Sequence, residues 1–364
     1  MPTDKAHGIQ IAKMCEVFAG AGAPLELVVP SRGRGSLKSA YDLTVDLSLR
    51  RLPVFDFQFL GPLGYRLTAL QFICGVLFYL WSKVLLGESF VVYTVDMDNF
   101  SFVPLMLIPR PVFAEMHSKK QSNLLTRFFF NRANIIATNS LIADDLARTF
   151  DLPPSRLCIE PNGVDTAVLQ NALSTTEARA CLNLPDNPFV LYVGRFYAWK
   201  GLEILADVVG SSPLPIYLVG GTREEYERVT KKSGAELHFF GVRPVNEIPL
   251  WLAAADMLLV LGTKENESSY RYTSPMKIFE YLAARRPVIA SQTPANASII
   301  TEDAVFWYSP DDVLSLAQAL QNVQTSKDVV ARTQIGRTLA EQHTWDARAR
   351  RILAFMAPVD TLSK

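Results

Sequence analysis

The stretch that decides the fold is Tyr272-Thr-Ser-Pro-Met-Lys-Ile-Phe-Glu-Tyr281, which is followed by Leu-Ala-Ala-Arg-Arg-Pro-Val-Ile-Ala-Ser291. The pattern predicts a loop, a helix, a short turn and a buried strand. Ser274 fits the N-cap of the helix, and Pro275 fits its first position, where the missing N–H of proline costs nothing. A helix that leads directly into a buried strand is the repeating unit of an α/β protein.

Lys277 falls in the first turn of this helix, where the positive end of the helix dipole repels a cation. A lysine is favourable there when an anion also occupies the helix end, since free backbone N–H groups beside a lysine bind phosphate. Glu280 lies near the same helical face and can accept hydrogen bonds from sugar hydroxyls. The segment therefore predicts a site for a phosphorylated sugar. The alternative is a surface helix with an unfavourably placed lysine.

Composition limits the classes of function. The 364 residues suit two domains, and 49% of them are hydrophobic, which provides a substantial core. The formal net charge is zero, which argues against nucleic acid as the main partner. The cysteines Cys15, Cys74, Cys158 and Cys181 are far apart and form no metal-binding or disulfide pattern, so a reducing cytosol is expected.

One stretch resembles a membrane segment. Leu67–Leu86 approaches the roughly 20 residues that a span requires. However, the strand-like segment 90–94 follows at once and has to pair with strands encoded before the stretch. We therefore expect a buried core helix, with a membrane-apposed helix as the alternative. The polar residues 1–5 do not have the pattern of a signal peptide, so we expect a cytoplasmic protein, or one peripheral on the inner face of the cell membrane.

Short apolar runs alternate with amphipathic helices along the whole chain, which predicts two parallel, doubly wound α/β domains. After a helix at 9–21, the first series of strands is expected at 25–30, 91–94, 111–115, 134–138 and 157–160. The second is expected at 189–193, 216–219, 237–240, 257–260 and 287–290. The polar, proline-bearing segment 183–188 is the predicted linker. Because the chain opens on a helix, the first strand of the N-terminal domain is apparently missing, or the start codon was assigned too late.

Two cations follow the first strand of the second series. Gly194-Arg195 is expected to end that strand, and Lys200-Gly201 to open the next helix, so that both side chains converge above the sheet. Paired cations suit a diphosphate, and their bonds strengthen as a leaving diphosphate gains charge. The alternative is a solvated, charged loop.

The order of these motifs resembles the retaining glycosyltransferases of family 4, which have the GT-B fold of two Rossmann-like domains facing a central cleft. The motifs are Pro161-Asn-Gly-Val-Asp165, Gly194-Arg195 with Lys200-Gly201, Gly220-Gly221, Phe240-Gly241, and Ser274-Pro-x-Lys277-x-x-Glu280-Tyr281. Segments 5–10 and 114–117 match the family's acceptor-side loops. Segment 344–350 resembles the helix that crosses back onto the first domain. The resemblance implies an acceptor-side domain at 1–183 plus 345–364 and a nucleotide-sugar domain at 184–344.

The resemblance also implies site residues. Arg195 and Lys200 would hold the donor diphosphate, Glu280 the donor ribose, and His117 a hydroxyl of the donor sugar, although His117 also fits a purely structural role. His7 and Gly8 would lie in the loop that approaches the donor phosphate or the acceptor, with a helix N-terminal role for His7 as the alternative. The remaining donor-binding positions are Gly194, Tyr272, Ser274, Pro275, Met276 and Lys277.

The sequence departs from the family at one position. The family's glutamate pair is spaced by eight residues, and Tyr272 stands where the first glutamate is expected; Glu265 or Glu267 are possible substitutes. We interpret the change as altering the donor preference. Asp96-Met-Asp98 has the sequence of an Asp-x-Asp metal-binding motif, but it follows a strand of the N-terminal domain, away from the predicted phosphates. The sequence therefore requires no metal.

The expected function is transfer of a sugar, with retention, from a nucleotide-diphosphate sugar to a glycan or lipid-linked acceptor of cell-envelope polysaccharide synthesis. The alternative is a catalytically inactive GT-B relative that binds a nucleotide sugar or a partner protein. Peripheral membrane contact would suit a lipid-linked acceptor.

Overall fold

Parallel strands alternate with helices along the chain, as the apolar runs predict. The computed structural model describes residues 3, 6–32, 35–96, 98, 100–165, 168, 170 and 173–360. Lys5 and Met97, which belong to two of the motifs above, lie outside these residues. The chain divides into a first unit, residues 1–160 with 345–364, and a second unit, residues 161–344.

The first unit contains two parallel sheets. One pairs β1 (Leu27–Pro30) with β2 (Leu49–Leu52), and the other has the order β3-β4-β5-β6. The strands of the second sheet are β3 (Val92–Val95), β4 (Val112–Met116), β5 (Asn134–Ala137) and β6 (Leu157–Ile159). The helices are α1 (Ala6–Gly20), α2 (Leu37–Tyr41), α3 (Gly61–Leu85), α4 (Leu124–Phe130), α5 (Ser140–Phe150) and the terminal Trp345–Asp360. Among the described residues, α1 is the first element, as expected.

The second unit contains one six-stranded sheet, in which all neighbouring strands are parallel. Its strands are β7 (Val190–Val193), β8 (Ile216–Val219), β9 (His238–Phe239), β10 (Met257–Val260), β11 (Val288–Ser291) and β12 (Phe306–Tyr308). Its described helices are α6 (Thr175–Cys181), α7 (Ile204–Val208), α8 (Arg223–Thr230), α9 (Ile248–Ala254), α10 (Lys277–Ala283), α11 (Pro294–Ala297), α12 (Val313–Thr325) and α13 (Val329–Gln342); the terminal helix of the first unit is then α14 (Trp345–Asp360).

The strand order β12-β11-β10-β7-β8-β9 is that of the Rossmann fold read from one edge. Its four central strands, β7, β8, β10 and β11, are buried on both faces, between a core that includes Phe279 and Tyr281 of α10 and a second core that includes Leu316 and Leu320 of α12. A doubly wound sheet of this order binds ligands where the strand order reverses. Here that position lies between β7 and β10.

The division of the chain differs from the predicted linker. Segment 183–188 lies inside the second unit, because α6 before it packs against α9 of that unit. Arg179 of α6 donates to the carbonyl of Ala254 at 3.0 Å and pairs with the carboxylate of Asp256 at 2.5 Å. The described chain after residue 344 lies with the first unit.

Helix α3 differs from the expected core helix. It is long and apolar enough to cross a membrane, yet only 22% of its most apolar 18-residue window is buried. Its neighbours are on one side only, since Gly64, Thr68, Ile73 and Leu80 are the buried positions. The expectation of a buried helix was wrong, because an apolar sequence does not show which face another element covers.

Candidate functional site: the carboxyl edge of the second sheet

The loops after β7 and β10 meet at the point where the strand order reverses. Gly194 follows β7 and its N–H donates to the carbonyl of Val219 at 2.8 Å, which extends the sheet by one residue. Gly201 closes the loop after β7 with a φ of 73°, and a Cβ on it would lie 3.0 Å from Cβ of Thr263 in the loop after β10. The two loops therefore form adjacent walls of the ligand crevice that this topology predicts.

A second glycine keeps the backbone close at this edge. Gly220, directly after β8, has a φ of 132°, and a Cβ there would lie 2.2 Å from the carbonyl oxygen of Gly194. Only glycine adopts this backbone conformation without strain. The motif Gly220-Gly221 thus has a structural role in placing Gly194 and Arg195.

Lys200 lies at this edge but not where the sequence predicted it. It ends a 3-10 turn, Ala198–Lys200, and the following helix α7 begins only at Ile204. Its ammonium donates to the backbone carbonyl of Arg195 at 3.1 Å and lies 5.3 Å and 5.6 Å from the ring centres of Tyr197 and Trp199. The Arg195 side chain is exposed. The predicted convergence of the two residues thus takes the form of a contact between the Lys200 side chain and the Arg195 backbone.

The charge on Lys200 is poorly compensated. Burial, and after it the positive charge of Lys277, together lower the pKa of Lys200 to about 8. Among the described residues, no carboxylate forms an ion pair with Lys200. Two ammonium groups near each other, one without a counter-ion, form a local site of positive potential that favours an anion.

Helix α10 begins later than predicted. Its first residue is Lys277, its N-cap is Met276, and no side chain caps it. Ser274 and Pro275 precede the helix, so their predicted positions as N-cap and first helical residue were wrong. Lys277 and Glu280 do share one helical face, and their ammonium and carboxylate groups form an ion pair at 2.8 Å.

Asn162 explains why Ser274 is not an N-cap. The buried amide of Asn162 donates to the carbonyl of Ser274 at 2.6 Å, and its backbone N–H donates to the Ser274 hydroxyl at 3.4 Å. The loop before α10 is therefore fastened to residue 162 of the same unit. The sequence suggested only a turn at Asn162-Gly163, because a contact between residues so far apart leaves no local signal.

Tyr281 is a positioning residue that the sequence did not single out as such. Its buried hydroxyl accepts from the N–H of Val193 at 2.8 Å and donates to the carbonyl of the same residue at 3.2 Å. Val193 is the last residue of β7. The contact fixes the start of α10, with Lys277 and Glu280, beside the end of the strand that leads to Arg195.

Tyr272 is buried, with 5% of its surface exposed, at the end of a π-helical turn, Ser268–Tyr272. π-Helical turns are rare and frequent at functional sites. The guanidinium of Arg271 lies 5.9 Å from the Tyr272 ring centre. Glu265 and Glu267, the candidate substitutes for the missing glutamate, are exposed on the preceding loop. Their proposed contact with a sugar remains a prediction.

His117 belongs to a buried polar network in the first unit. Its Nε2 lies 3.0 Å from a carboxylate oxygen of Glu115, and its backbone N–H donates to Asp96 at 3.0 Å. The Glu115 carboxylate also accepts from Gln10 and Tyr93 and pairs with Arg348 of α14 at 2.9 Å. Burial alone would raise the pKa of Glu115, but the charge of Arg348 and the bond from His117 hold that pKa well below its usual range.

This network orients the His117 ring. Glu115 is fully buried, whereas 28% of the His117 side chain remains exposed. An ionised carboxylate accepts hydrogen bonds only, so the Nε2 atom of His117 carries the proton of this bond. The other ring nitrogen, Nδ1, is then the free acceptor in the neutral ring, or a second donor in the charged ring.

Gly8 and His7 lie in the first turns of α1 rather than in a loop, because the helix begins at Ala6. A Cβ on Gly8 would lie 2.4 Å from the methyl group of Thr3 and 2.6 Å from the hydroxyl of Tyr41. Close packing against α2 therefore accounts for a small residue at position 8. A role in binding the donor stays a prediction.

Asp96 and Asp98 have partners within the protein. Asp96 pairs with the buried ammonium of Lys120 at 2.5 Å, and Asp98 accepts from the backbone N–H groups of Phe100 and Ser101 at 2.8 Å and 2.6 Å. Within the described part of the chain, no group of three or more metal-ligating side chains occurs. This pair has the geometry of a structural ion pair and a turn.

The site residues thus fall into two sets. In the second unit, Arg195, Lys200, Lys277 and Glu280 gather at one sheet edge, and Ser274, Pro275 and Met276 form the loop before α10. In the first unit, His117 follows β4, and Gly8 lies at the start of α1.

The fold defined by these sheets is GT-B, with two Rossmann-like α/β domains, as the sequence predicted. Sucrose-phosphate synthase of Thermosynechococcus elongatus has a TM-score of 0.74 at 19% identity, over 98% of this chain and 94% of that one. The structure of Anabaena HepE in complex with UDP and glucose has a TM-score of 0.71 at 15% identity, over 98% and 97%.

The amino-acid sequence adds similarity to glycosyltransferases. Residues 187–326, which contain β7 to α12, match the family model Glycosyl transferases group 1. The chain is 23% identical over 271 residues to sulfoquinovosyl transferase SQD2 of Arabidopsis thaliana, which covers 71% of this chain and 50% of that protein. The chain spans about half the length of the curated relatives it matches.

Proposed function

We propose that the protein is a retaining glycosyltransferase of family 4 that moves a sugar from a nucleotide-diphosphate donor to a glycan or lipid-linked acceptor. The observation that carries this proposal is the sheet edge where Lys200, which pairs with no carboxylate of the described residues, lies near Lys277 and beside Arg195. This edge is the ligand site of the Rossmann topology. A bound diphosphate would supply the missing negative charge.

The donor site follows from the second unit alone. Lys200 and Arg195 bind the diphosphate, and the backbone N–H groups of residues 274, 276 and 277 contribute donors. Glu280 binds the ribose hydroxyls through its carboxylate. The ion pair with Glu280 holds Lys277 in place before the donor binds. The phosphate charge that Lys277 then shares with Lys200 relieves their mutual repulsion.

In the proposed reaction, the protein orients the donor and stabilises the leaving group. As the bond between sugar and diphosphate breaks, negative charge develops on the diphosphate, and the ammonium groups of Lys200 and Lys277 stabilise it. His117, oriented by Glu115, donates a hydrogen bond to a hydroxyl of the donor sugar in its charged form, or accepts one in its neutral form. No metal ion is needed for these steps. We place the reaction in the cytoplasm.

The test is nucleotide binding. UDP is the first probe because the HepE structure contains UDP and glucose, and the other nucleoside diphosphates follow by calorimetry. We expect one nucleotide to bind, and Lys200→Ala and Arg195→Ala to lose it. Lys327→Ala is the matched control, because Lys327 is an exposed lysine of the same unit outside the site. Equal binding by all three variants would refute the donor site.

Transfer is tested with the nucleotide sugar that binds. We expect Lys200→Ala and Glu280→Ala each to lower the transfer rate more than tenfold, which corresponds to about 1.4 kcal/mol in the barrier. The anomeric configuration of the product, read by proton NMR, tests retention. An inverted product would refute the assignment to family 4.

One observation favours a second candidate, a catalytically inactive relative that binds a nucleotide sugar or a partner protein. Tyr272 is a buried aromatic residue where a carboxylate would engage the donor sugar. In that case the nucleotide sugar would bind, but neither transfer nor donor hydrolysis would be detected. Tyr272→Glu would then be the variant in which to look for restored turnover.

A further inference from the structure

Helix α3 carries an apolar stripe along its whole exposed face. We define the apolar stripe as Leu63, Leu67, Leu70, Phe78, Trp81 and Leu85, all large hydrophobic residues with 37–82% of their surface exposed. At about 100° per residue these positions fall within an arc of roughly 80°, and at 1.5 Å per residue the stripe is about 33 Å long. Soluble proteins rarely expose a continuous apolar surface of this length without a partner.

One exposed cation borders the apolar stripe on helix α3. Arg66 is exposed beside the stripe, whereas Lys83 lies on the opposite side of the helix and pairs with Glu88 at 2.7 Å. A second apolar patch with cations lies on α4, where Leu124, Leu125 and Phe128 are exposed. The exposed Arg127 and the guanidinium of Arg132, which lies 5.5 Å from the Phe128 ring centre, border this patch. Residues 117–143, which include α4, contain no Asp or Glu.

The two apolar surfaces are connected. The 3-10 turn Val103–Leu107 packs against both α3 and α4, and Leu107 at its end is itself 54% exposed. Apolar side chains bordered by arginine are typical of elements that lie in the interface of an anionic membrane. The apolar side chains match the acyl region of an anionic phospholipid surface, and the cations beside them match its headgroups.

The opposite face of α3 is fastened to the first unit. Tyr79 donates to Glu26, the Gln71 side chain accepts from the N–H of Phe55 at 2.9 Å, and the Thr68 hydroxyl lies 3.4 Å from the N–H of Phe57. A helix that crossed a bilayer would have to break these bonds. The helix is therefore suited to lie in the plane of a membrane surface, not to span it.

A second copy of the chain fits the apolar stripe less well. The apolar positions 63, 74 and 85 are separated by eleven residues, and Cys74 is also exposed. A left-handed pair of helices requires a seven-residue repeat, whereas an eleven-residue repeat corresponds to about 3.67 residues per turn and a right-handed supercoil. The spacing does not have the pattern of a common helix–helix seam.

We propose that the first unit docks on an anionic phospholipid surface through the apolar stripe of α3, with the patch on α4 as a second contact. The docking follows from the first unit by itself. Its consequence for substrate rests on the proposed function: an acceptor presented at the membrane surface, of the lipid-linked class, is then favoured over a soluble glycan.

The test is flotation of the whole 364-residue chain with vesicles of phosphatidylcholine containing about one third phosphatidylglycerol. We expect the wild type to float with these vesicles, and the double variant Phe78→Glu/Leu85→Glu to bind at least about tenfold less, since it places two carboxylates in the apolar stripe. The matched control is Leu314→Glu/Val330→Glu, two substitutions at residues with 82% and 80% exposure in the second unit. The control should float like the wild type.

Each other outcome overturns the proposal. These outcomes are a wild type that stays with the soluble fraction, and a stripe variant that floats as well as the control. Resistance of the wild type to extraction with alkaline carbonate would indicate a spanning helix instead. A wild type that stays with the soluble fraction and is a dimer by light scattering, which the stripe variant converts to monomer, would indicate a second copy on the stripe.

Nucleotide binding separates this proposal from the proposed function. The stripe variant should bind the nucleotide with the affinity of the wild type, which also shows that its second unit is folded. Circular dichroism melts of the stripe variant and the control should agree within a few degrees. If no nucleotide binds to any form of the protein but the flotation results hold, the proposed function fails and the docking stands.

Discussion

Replacing Lys200 by methionine should stabilise the free protein and abolish nucleotide binding. The Lys200 ammonium is partly buried, has no ion-pair partner among the described residues and lies near the charge of Lys277. Methionine has a similar length and no charge. The substitution therefore removes an electrostatic cost while it keeps most of the packing against Tyr197 and Trp199.

The size of the effect follows from the pKa. A pKa of about 8, against 10.5 for an unperturbed lysine, corresponds to about 3 kcal/mol as an upper limit for the cost of the charge in the folded state. Because part of the side chain contacts water, we expect about 1–2 kcal/mol. For a unit of this size each kcal/mol raises Tm by about 2–4 °C. The variant should therefore melt several degrees above the wild type near pH 7.

The dependence on pH has a definite sign. Between about pH 8 and pH 10.5, Lys200 is neutral in the folded protein and still charged in the unfolded chain. The unfolded state then binds more protons, so this residue makes the wild type more stable as the pH rises through that window. The advantage of the methionine variant should be fully present below pH 8 and should disappear toward pH 10.5.

The assay is a thermal melt of wild type, Lys200→Met and the control Lys327→Met, near pH 7 and again above pH 9, with and without UDP. Saturating UDP should raise Tm of the wild type and of the control but not that of Lys200→Met, because a ligand stabilises only the state that binds it. A Lys200→Met variant that is less stable than the wild type without ligand, or a difference that does not change with pH, would refute the argument.

Three further substitutions test the positions of the site residues. Gly220→Ala should destabilise the protein by several kcal/mol, because it combines a φ of 132° with a Cβ 2.2 Å from the Gly194 carbonyl oxygen. Chemical denaturation measures this loss of stability. The control is Gly210→Ala, where a Cβ would meet nothing within 4 Å. Tyr281→Phe should lose about 1–3 kcal/mol of stability and weaken nucleotide binding, since it leaves the backbone of Val193 without its buried partner; unchanged affinity in calorimetry would contradict the positioning role. Glu115→Gln should cost about 3–5 kcal/mol, because the fully buried charge of Arg348 then loses the carboxylate that lies 2.9 Å from it. The low pKa of Glu115 means that this stability is present above pH 4.5 and lost as the pH falls below it, so the variant and the wild type should converge in melts at acidic pH.

The four central strands of the second unit could be predicted because each is a short apolar run buried on both faces. The strands that were missed show where this signal ends. Strand β2 is Leu49-Arg-Arg-Leu52, whose central arginines hide its pairing with β1. Strand β12, Phe306–Tyr308, is an edge strand of three aromatic residues, too short for a periodic pattern.

The candidate site was predictable in its residue types but not in its local structure. Lys277 and Glu280 form the contact that helical spacing predicts. The start of α10 was placed too early, because Ser274-Pro275 has the composition of a helix N-terminus. Its serine is instead bonded to Asn162, a residue more than a hundred positions away. Local propensity cannot anticipate such a long-range contact.

The first unit shows the same limit more strongly, because its buried carboxylates are paired with arginines far along the chain. Glu115 of β4 is paired with Arg348 of α14, and Glu160, just after β6, is paired with Arg351 of the same helix at 2.7 Å. A buried carboxylate without its partner is unfavourable by several kcal/mol. The sheet that carries His117 therefore reaches its stable form only when α14 has been synthesised and has packed against it. The orientation of His117, which depends on Glu115, is in this way set by residues at the far end of the sequence.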